Sequence, residues 1–490
     1  MTDRNIIRIE GSSREFNRLK ILFVLLLPLA MSLMAVSSVN VALPTIETGL
    51  GASASDVQWV LSGYALAFGI SLVPSGRAGD VLGRGALFIA GLTLFVVASF
   101  VCGLASTPLM LNIARIVQGV GAGMFSPQVT GMIQQYFSGA GRARAFALFG
   151  LVISASVAVG PIVAGIIIES LGPQLGWRGA FYFNLPLGIL GIILALAWFP
   201  FARERSLWAT KAGDVPAGTP MHVDLDPVGT LLLAISVLCV MLPFMAHDNP
   251  WTWLLLGAGA LTLWAWYRWE KGYAARGKEP MVDLTLFGYK SFSYGTMVSG
   301  VMFTGSATTF VLVALFLQSG LHTSALEAGL IGLPNAIVSA FFSVWAGGRV
   351  MSKGRALVIA GLLSIIIGCC VVIGVAELVA HSGISFWWLA LALLPHGFGM
   401  GVIGSANQTL SLQDIPPAAG GTAGGVKQTA ERIGTAIGNA MITGVFFAVL
   451  AMTDWTTGFA AGFVVIALVL MVSLFIAWRD FRYHRSIGRA

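Results

Sequence analysis

The 490-residue chain is 57% hydrophobic and only 10% charged, whereas about a quarter of the residues in an average soluble domain are charged. That composition leaves too little polar surface for a soluble protein, so it excludes disorder, collagen and a secreted disulfide scaffold and points to an integral membrane protein. The net charge of +7 does not mark a nucleic-acid partner, because the basic residues gather at the ends of apolar runs, as membrane topology requires.

A bilayer core about 30 Å thick needs about 20 apolar helical residues. The opening stretch, residues 1–20, is polar and reads as a cytoplasmic N-terminal segment. Apolar runs near 21–46, 57–75, 86–105, 108–133, 143–169 and 179–202 predict a first bundle of six helices over 21–202. A polar cytoplasmic loop at 203–226 follows, then two runs near 227–246 and 251–269 that form an inserted pair over 227–270, then a second cytoplasmic loop at 271–291. Runs near 292–319, 325–348, 356–380, 386–411, 432–452 and 455–478 predict a second bundle over 292–478, ahead of a cytoplasmic tail at 479–490. The expected fold is all-α, with fourteen transmembrane helices arranged as two six-helix bundles plus an inserted pair. The runs are far longer than the roughly 10-residue strands of a membrane barrel.

The basic residues agree with this count. Every Lys and Arg except Arg115 and Arg178 falls on a segment that the count places on one side of the membrane. The positive-inside rule makes that side cytoplasmic, along with both termini, and the lipid bilayer is the cytoplasmic membrane. The four cysteines (Cys102, Cys239, Cys369, Cys370) lie in apolar runs and read as small core residues. A weak internal echo, Gly76-Arg77 after helix 2 and Gly348-Arg349 after helix 10, fits the parallel repeats from which many transporters are built.

Several motifs stand out. After helix 2 comes Gly76-Arg77-Ala78-Gly79-Asp80-Val81-Leu82-Gly83-Arg84. Its small residues permit close helix approach, and its acid and two arginines can latch one conformation and release another. Leu111 to Gly123 reads LNIARIVQGVGAG, and Gly160-Pro161 sits inside helix 5, where proline removes a helical hydrogen bond. Glycines four apart (Gly119 and Gly123, Gly397 and Gly401, Gly434 and Gly438) form small-residue contact faces.

With its Gly-x-x-x-Asp-x-x-Gly-Arg loop, the sequence resembles the major facilitator superfamily. The helix 4 motif, Ala158 to Gly165, Trp177-Arg178 with Phe183 to Gly188, Leu315 to Gln318, Ala325 to Gly329 and Gln428 to Gly438 resemble its fourteen-helix drug/proton antiporter branch. The resemblance runs from about Val39 to Val449. It implies multidrug-type export with protons as the coupling ion, and gating by Gly76, Arg77, Asp80, Gly83, Arg84, Gly160 and Pro161. It also implies an acid in helix 1, nine positions before the proline of Asn40-Val41-Ala42-Leu43-Pro44. That position holds Ala35, so the common proton carrier is missing.

Three residues are candidates for proton coupling. Arg115 lies about 10 Å into helix 4, and His396 about 15 Å into helix 12, near the midplane. Glu327 lies near the outer end of helix 10. A membrane-embedded ionisable group is costly and usually functional, although His396 also reads as a neutral, hydrogen-bonded histidine and Glu327 as a helix-end acid. Ser37, Asn40, Tyr64, Gln118, Thr308, Thr309, Asn335 and Asn407 are candidates to line a substrate cavity. These few polar groups in an apolar pocket suit an amphipathic or lipophilic organic molecule. No carboxylate is expected near the middle of a span.

No phosphate-binding loop, metal-ligand cluster or nucleophile elbow occurs, so the chain is not expected to be an enzyme and needs no cofactor beyond a proton gradient. The expected protein is a monomeric exporter of a small organic substrate. Two alternatives remain at this stage: a carrier of one native metabolite or lipid with weak or no proton coupling, and a membrane sensor or scaffold that moves nothing.

Overall fold

A computed structural model describes residues 6–8, 15–201, 224–245 and 250–488. Arg4, Arg14, Arg203, Arg205, Lys211, Arg489, His222 and His247 lie outside them, as does most of the expected loop at 203–226. A short antiparallel ribbon, β1 (Ile6–Arg8) with β2 (Glu15–Asn17), precedes the first helix. The rest is helical.

The first bundle comprises α1 (Arg18–Leu50), α2 (Ala54–Leu82), α3 (Arg84–Leu104) and α4 (Pro108–Tyr136), then α5 (Gly139–Gly172) and α6 (Gln174–Trp198). The inserted pair is α7 (Pro227–Met245) and α8 (Leu254–Ala275). The second bundle comprises α9 (Lys290–Gly320), α10 (Ala325–Gly347), α11 (Val350–Ser382), α12 (Trp388–Ser411), α13 (Gly420–Leu450) and α14 (Trp455–Ser486). Among the described residues, thirteen helices are long and apolar enough to cross a membrane. The remaining one, α8, carries Arg268, Glu270 and Lys271 in its last turns, which lower its hydropathy.

The helix ends have local causes. Ser53 and Asp56 form a reciprocal capping box at the start of α2, and Ser324 and Glu327 form the same box at the start of α10. Thr107 and Asp454 cap α4 and α14. All four caps lie at the face opposite the α2–α3 and α4–α5 turns. We call the face with those turns, which bear Arg84 and Arg142, the basic face. The α5–α6 reversal falls at Gly172, whose φ of +76° is open to glycine and strained for any other residue.

Glycine pairs set the packing within each bundle. A Cβ on Gly119 or Gly123 of α4 would strike the α2 backbone at Tyr64 or Phe68, and one on Gly397 or Gly401 of α12 would strike the α10 backbone at Asn335 or Ser339. Similarly, Gly160 of α5 lies against Ser37 and Met34 of α1, while Gly434 and Gly438 of α13 lie against Gly300 and Thr304 of α9. Counting each bundle from its first helix, these are the same pairs, fourth on second and fifth on first.

The inserted helices run antiparallel. Trp269 Nε1 donates to Asp226 Oδ1 at 2.9 Å, and Ser236 Oγ bonds Thr262 Oγ1 at 3.0 Å. Through Val237 and Met241, α7 packs on Leu66 of α2 and Ala436 of α13, so the pair rests on both bundles at once.

One predicted boundary is corrected. Helix 13 was expected from 432, but α13 begins at Gly420. Glycine's low helix propensity made Gly420-Gly421-Thr422-Ala423-Gly424-Gly425 read as loop. In the fold these residues are buried against α2 and α4. Lys427, Glu431 and Arg432 therefore lie inside the helix rather than on a connection.

Candidate functional site

The signature loop builds a latch between the bundles. Asp80, at the basic end of α2, is buried and aims its carboxylate at the N-terminus of α13. It accepts from the backbone N–H of Gly421 at 3.0 Å and of Thr422 at 2.7 Å, and from the Thr422 hydroxyl at 2.8 Å. An N-terminus has unpaired N–H groups and a positive dipole end, so a carboxylate there is stabilised. Arg84 pairs with the same carboxylate at 2.6 Å. It also donates to Gly131 O at 2.8 Å on α4 and to Pro417 O at 2.5 Å just before α13. Gly76 and Gly421 make the approach possible, since a Cβ on Gly421 would sit 2.6 Å from Asp80 Oδ1. Gly83 is the residue at which α2 ends and α3 begins. Arg77 points elsewhere, to Glu279 at 2.7 Å and to the Asp224 carbonyl at 3.3 Å, tying α2 to the loops around the inserted pair.

Further bonds between bundles follow the same end. Ser126 Oγ donates to Gln428 Oε1 at 2.7 Å, Gln134 Nε2 donates to the Leu412 carbonyl, and Ser343 Oγ donates to Ala147 O at 2.9 Å. Ser154 and Ser339 meet at 2.8 Å. Among the described residues every hydrogen bond joining the two bundles lies in the basic half. The molecule is latched at one end only. Asn40 and Pro44, toward the other end of α1, are exposed, while Gly160 and Pro161 sit where α5 closes on α1.

A second cluster surrounds Arg115, which is fully buried. Its Nε donates to Val60 O at 2.9 Å and its Nη1 to Gln118 Oε1 at 2.6 Å, while Nη2 has no hydrogen-bond partner. Gln118 in turn donates to Ser99 Oγ at 2.7 Å. The guanidinium stacks 4.2 Å from the Tyr64 ring, close enough for a cation–π attraction. Tyr64 lies parallel to Phe68, one turn on, with centroids 6.1 Å apart. Arg432 of α13 stands 5.1 Å over Phe68. No carboxylate pairs with Arg115 or Arg432 among the described residues. Lys427 is buried too, bonded to Gln408 Oε1 and paired with Glu431 at 3.2 Å. Reading α13 from 432 hid these three charges. The stripe of glycines ahead of them was the available signal for a helix in close contact.

His396 lies in the second bundle, where Asn335 shares its depth as expected. Asn335 Nδ2 donates to Leu393 O at 2.8 Å and approaches His396 Nδ1 at 3.2 Å. With Asn335 Nδ2 as the donor, the neutral ring carries its proton on Nε2, which is buried without a partner. The Phe310 ring meets the imidazole edge-on at 5.7 Å. Glu327 is elsewhere, its carboxylate held by Ser324 N at 2.9 Å and Ser324 Oγ at 2.8 Å.

Several expected cavity residues are occupied by helix contacts. Asn407 Nδ2 donates to Gly295 O at 2.9 Å and Ser299 Oγ at 2.8 Å. Thr308 Oγ1 donates to Asn439 Oδ1 at 2.8 Å, and Ser37 Oγ bonds Leu33 O within its own helix at 3.1 Å. The Thr309 hydroxyl is buried with no partner. The structure does not gather all eight candidates around one space. Tyr64 and Gln118 serve Arg115, and Asn335 serves His396.

Comparison with known proteins places this architecture. The Major Facilitator Superfamily model matches residues 25–439. The probable actinorhodin transporter of Streptomyces coelicolor is 31% identical over 425 residues, covering 86% of this chain and 71% of that one. The tetracenomycin C resistance and export protein of Streptomyces glaucescens is 28% identical, covering 82% and 71%. The solved proton:xylose symporter XylE superposes with a TM-score of 0.68 at 16% identity, over 94% of this chain and 95% of that chain. Two six-helix bundles latched at one end, together with a family match across most of the length, make this chain a member of the Major Facilitator Superfamily, a membrane transporter and not an enzyme.

Proposed function

We propose that this transporter is a proton-driven exporter of amphipathic organic compounds in the cytoplasmic membrane, of the fourteen-helix drug/proton antiporter type. The observation that carries the reading is the one-ended latch of Asp80 and Arg84 on α13. A carrier that alternates access needs a contact between bundles that is strong enough to hold one end shut and local enough to release. The names of the two relatives above, a probable actinorhodin transporter and a tetracenomycin C resistance and export protein, point the same way. In this reading the bundles span 21–202 and 292–478, both termini are cytoplasmic, the basic face is the cytoplasmic face, and the protein works as a monomer. With the basic end latched, the described state is closed toward the cytoplasm. Protons act on His396, where protonation takes the Nδ1 lone pair that faces Asn335 Nδ2, with Arg115 setting the local field. Glu327 serves mainly as a helix cap.

A second reading keeps the fold and drops the coupling: a carrier for one native metabolite. Ala35, where the branch carries an acid, favours it.

Proton movement in energised everted vesicles separates the two. With a pH-sensitive dye inside, adding a transported compound is expected to alkalinise the lumen promptly, relative to vesicles lacking the protein. Uptake of a compound into the vesicles with no change in luminal pH would exclude antiport and establish the second reading.

A further inference from the structure

The charges in the inter-bundle region do not balance. Beyond the paired Asp80 and Arg84 of the latch, α4 and α13 carry three cations, Arg115, Lys427 and Arg432, and among the described residues of those two helices Glu431 is the one carboxylate. Glu431 is committed to Lys427 at 3.2 Å. Arg115 is wholly buried in the first bundle with its Nη2 unpaired, and Arg432 makes no hydrogen bond or ion pair among the described residues, its Nε being buried and unpaired. A buried charge without a counter-charge is expensive, and intramembrane arginines normally face a partner or a pathway.

The geometry points to the partner's place. Arg432 lies over Phe68, Phe68 is parallel to Tyr64 with 8° between ring planes, and Arg115 lies over Tyr64. Each ring of the Tyr64–Phe68 pair thus has its own guanidinium, at a place just beyond the Thr429–Gly69 bond that joins α13 to α2. Arg115 is enclosed by Val60, Tyr64 and Gln118 and acts only through its field. Arg432 is half-buried, and α13 moves against α2 whenever the latch opens.

We propose that the transported compound carries an anionic group on an aromatic body, and that this anion pairs with Arg432 while the body lies against Phe68. This deepens the export reading and rests on it. An acidic head neutralises the uncompensated charge, whereas a cationic head adds a like charge to a low-dielectric site. Guanidinium suits a carboxylate or phenolate through paired N–H donors.

The test uses the purified full chain in nanodiscs and measures binding of 2-naphthoate, its neutral isostere 2-naphthamide, and 2-naphthylmethylammonium. Wild type is expected to bind naphthoate about tenfold or more tighter than the amide, as the loss of a desolvated charge pair would cost. Arg432→Gln is expected to erase that preference, and Arg432→Lys to keep part of it, which a misfolded variant would not. Equal or tighter binding of the amide or the ammonium by wild type would overturn the proposal. So would an undiminished preference in Arg432→Gln. Displacement of naphthoate by chloride at equal potency would also overturn it, in favour of a small inorganic-anion site. Flux of the same probes in proteoliposomes keeps the two readings apart. Binding with the charge preference but without flux removes the export reading alone, and flux without the preference removes the anion inference alone.

Discussion

Arg115 shows how one residue can be costly to the fold and still be retained. Its Nε and Nη1 are satisfied by Val60 and Gln118 and its face by Tyr64, yet no carboxylate is present and Nη2 is left over. Replacing a buried charge by a neutral group of similar reach is often neutral or stabilising. Gln at this position can still donate toward Val60 and stay within the Gln118 network. Arg115→Gln is therefore expected to leave the thermal unfolding of the detergent-purified protein unchanged or raised, while flux falls by about tenfold or more, as for a residue whose charge matters to the transport cycle. Thermal scans and vesicle flux on the same preparation decide it. A large drop in unfolding temperature with flux retained would make Arg115 a purely structural residue.

At the scale of helices, the latch is a capping interaction made across the molecule. Asp80 supplies α13 with the N-terminal acceptor that its own sequence lacks, since Ala419 precedes the helix and has no side-chain acceptor. Losing one partner of a buried, hydrogen-bonded charge pair costs about 3–5 kcal/mol. Asp80→Ala also strands Arg84, so it is expected to move the balance toward opening of the basic end on the order of a hundredfold or more. Spin labels at exposed Leu82 of α2 and exposed Ala418 just before α13 would read this as a longer distance population, and an unchanged distance distribution would exclude the latch. Half of this device was legible in the sequence: the spacing of Gly76, Asp80, Gly83 and Arg84 announced a charge network at a helix end. Its other half was not, because Gly421 lies 341 residues away and its glycine-rich surroundings imitate a loop. Propensity charges glycine about 1 kcal/mol per helical residue, and tertiary packing overrode it, since only glycine fits against Gly76 and Leu72. The depth match of Asn335 and His396 was readable from counting residues at 1.5 Å each. Arg432's exposure to Phe68 was not, for it depends on how α13 meets α2.

Across the whole molecule, the two bundles repeat one design and break it at a single place. In both, the fourth helix packs on the second and the fifth on the first through glycines, paired in every case but the α5–α1 contact, where Gly160 serves alone. Between bundles the second helix of one meets the fifth of the other, twice: α2 on α13, and α10 on α5. The first of these carries the Asp80–Arg84 latch. The second is held by hydroxyls and small residues, with Ser343 donating to Ala147 O at 2.9 Å and Gly347 packed on Ala147. The arginine near the start of α11, Arg355, is turned inward within its own bundle and pairs with Asp480 at 3.2 Å. One contact is thus a charged clasp and the other a smooth bearing, an arrangement that lets the clasp set which end is open while the bearing lets the bundles rock. The bearing depends on the absence of a side chain at Gly347, where even a Cβ would strike Ala147. Gly347→Leu is expected to wedge the basic end apart without touching the latch residues or the interior of either bundle. Single cysteines placed along α5 and α10 at that end should then react faster with a membrane-impermeant maleimide applied to the basic face, and flux should be lost although the protein is folded and inserted. Wild-type labelling with wild-type flux would show that α5 and α10 need not come together during transport, and would leave the latch as the sole contact on which closure depends.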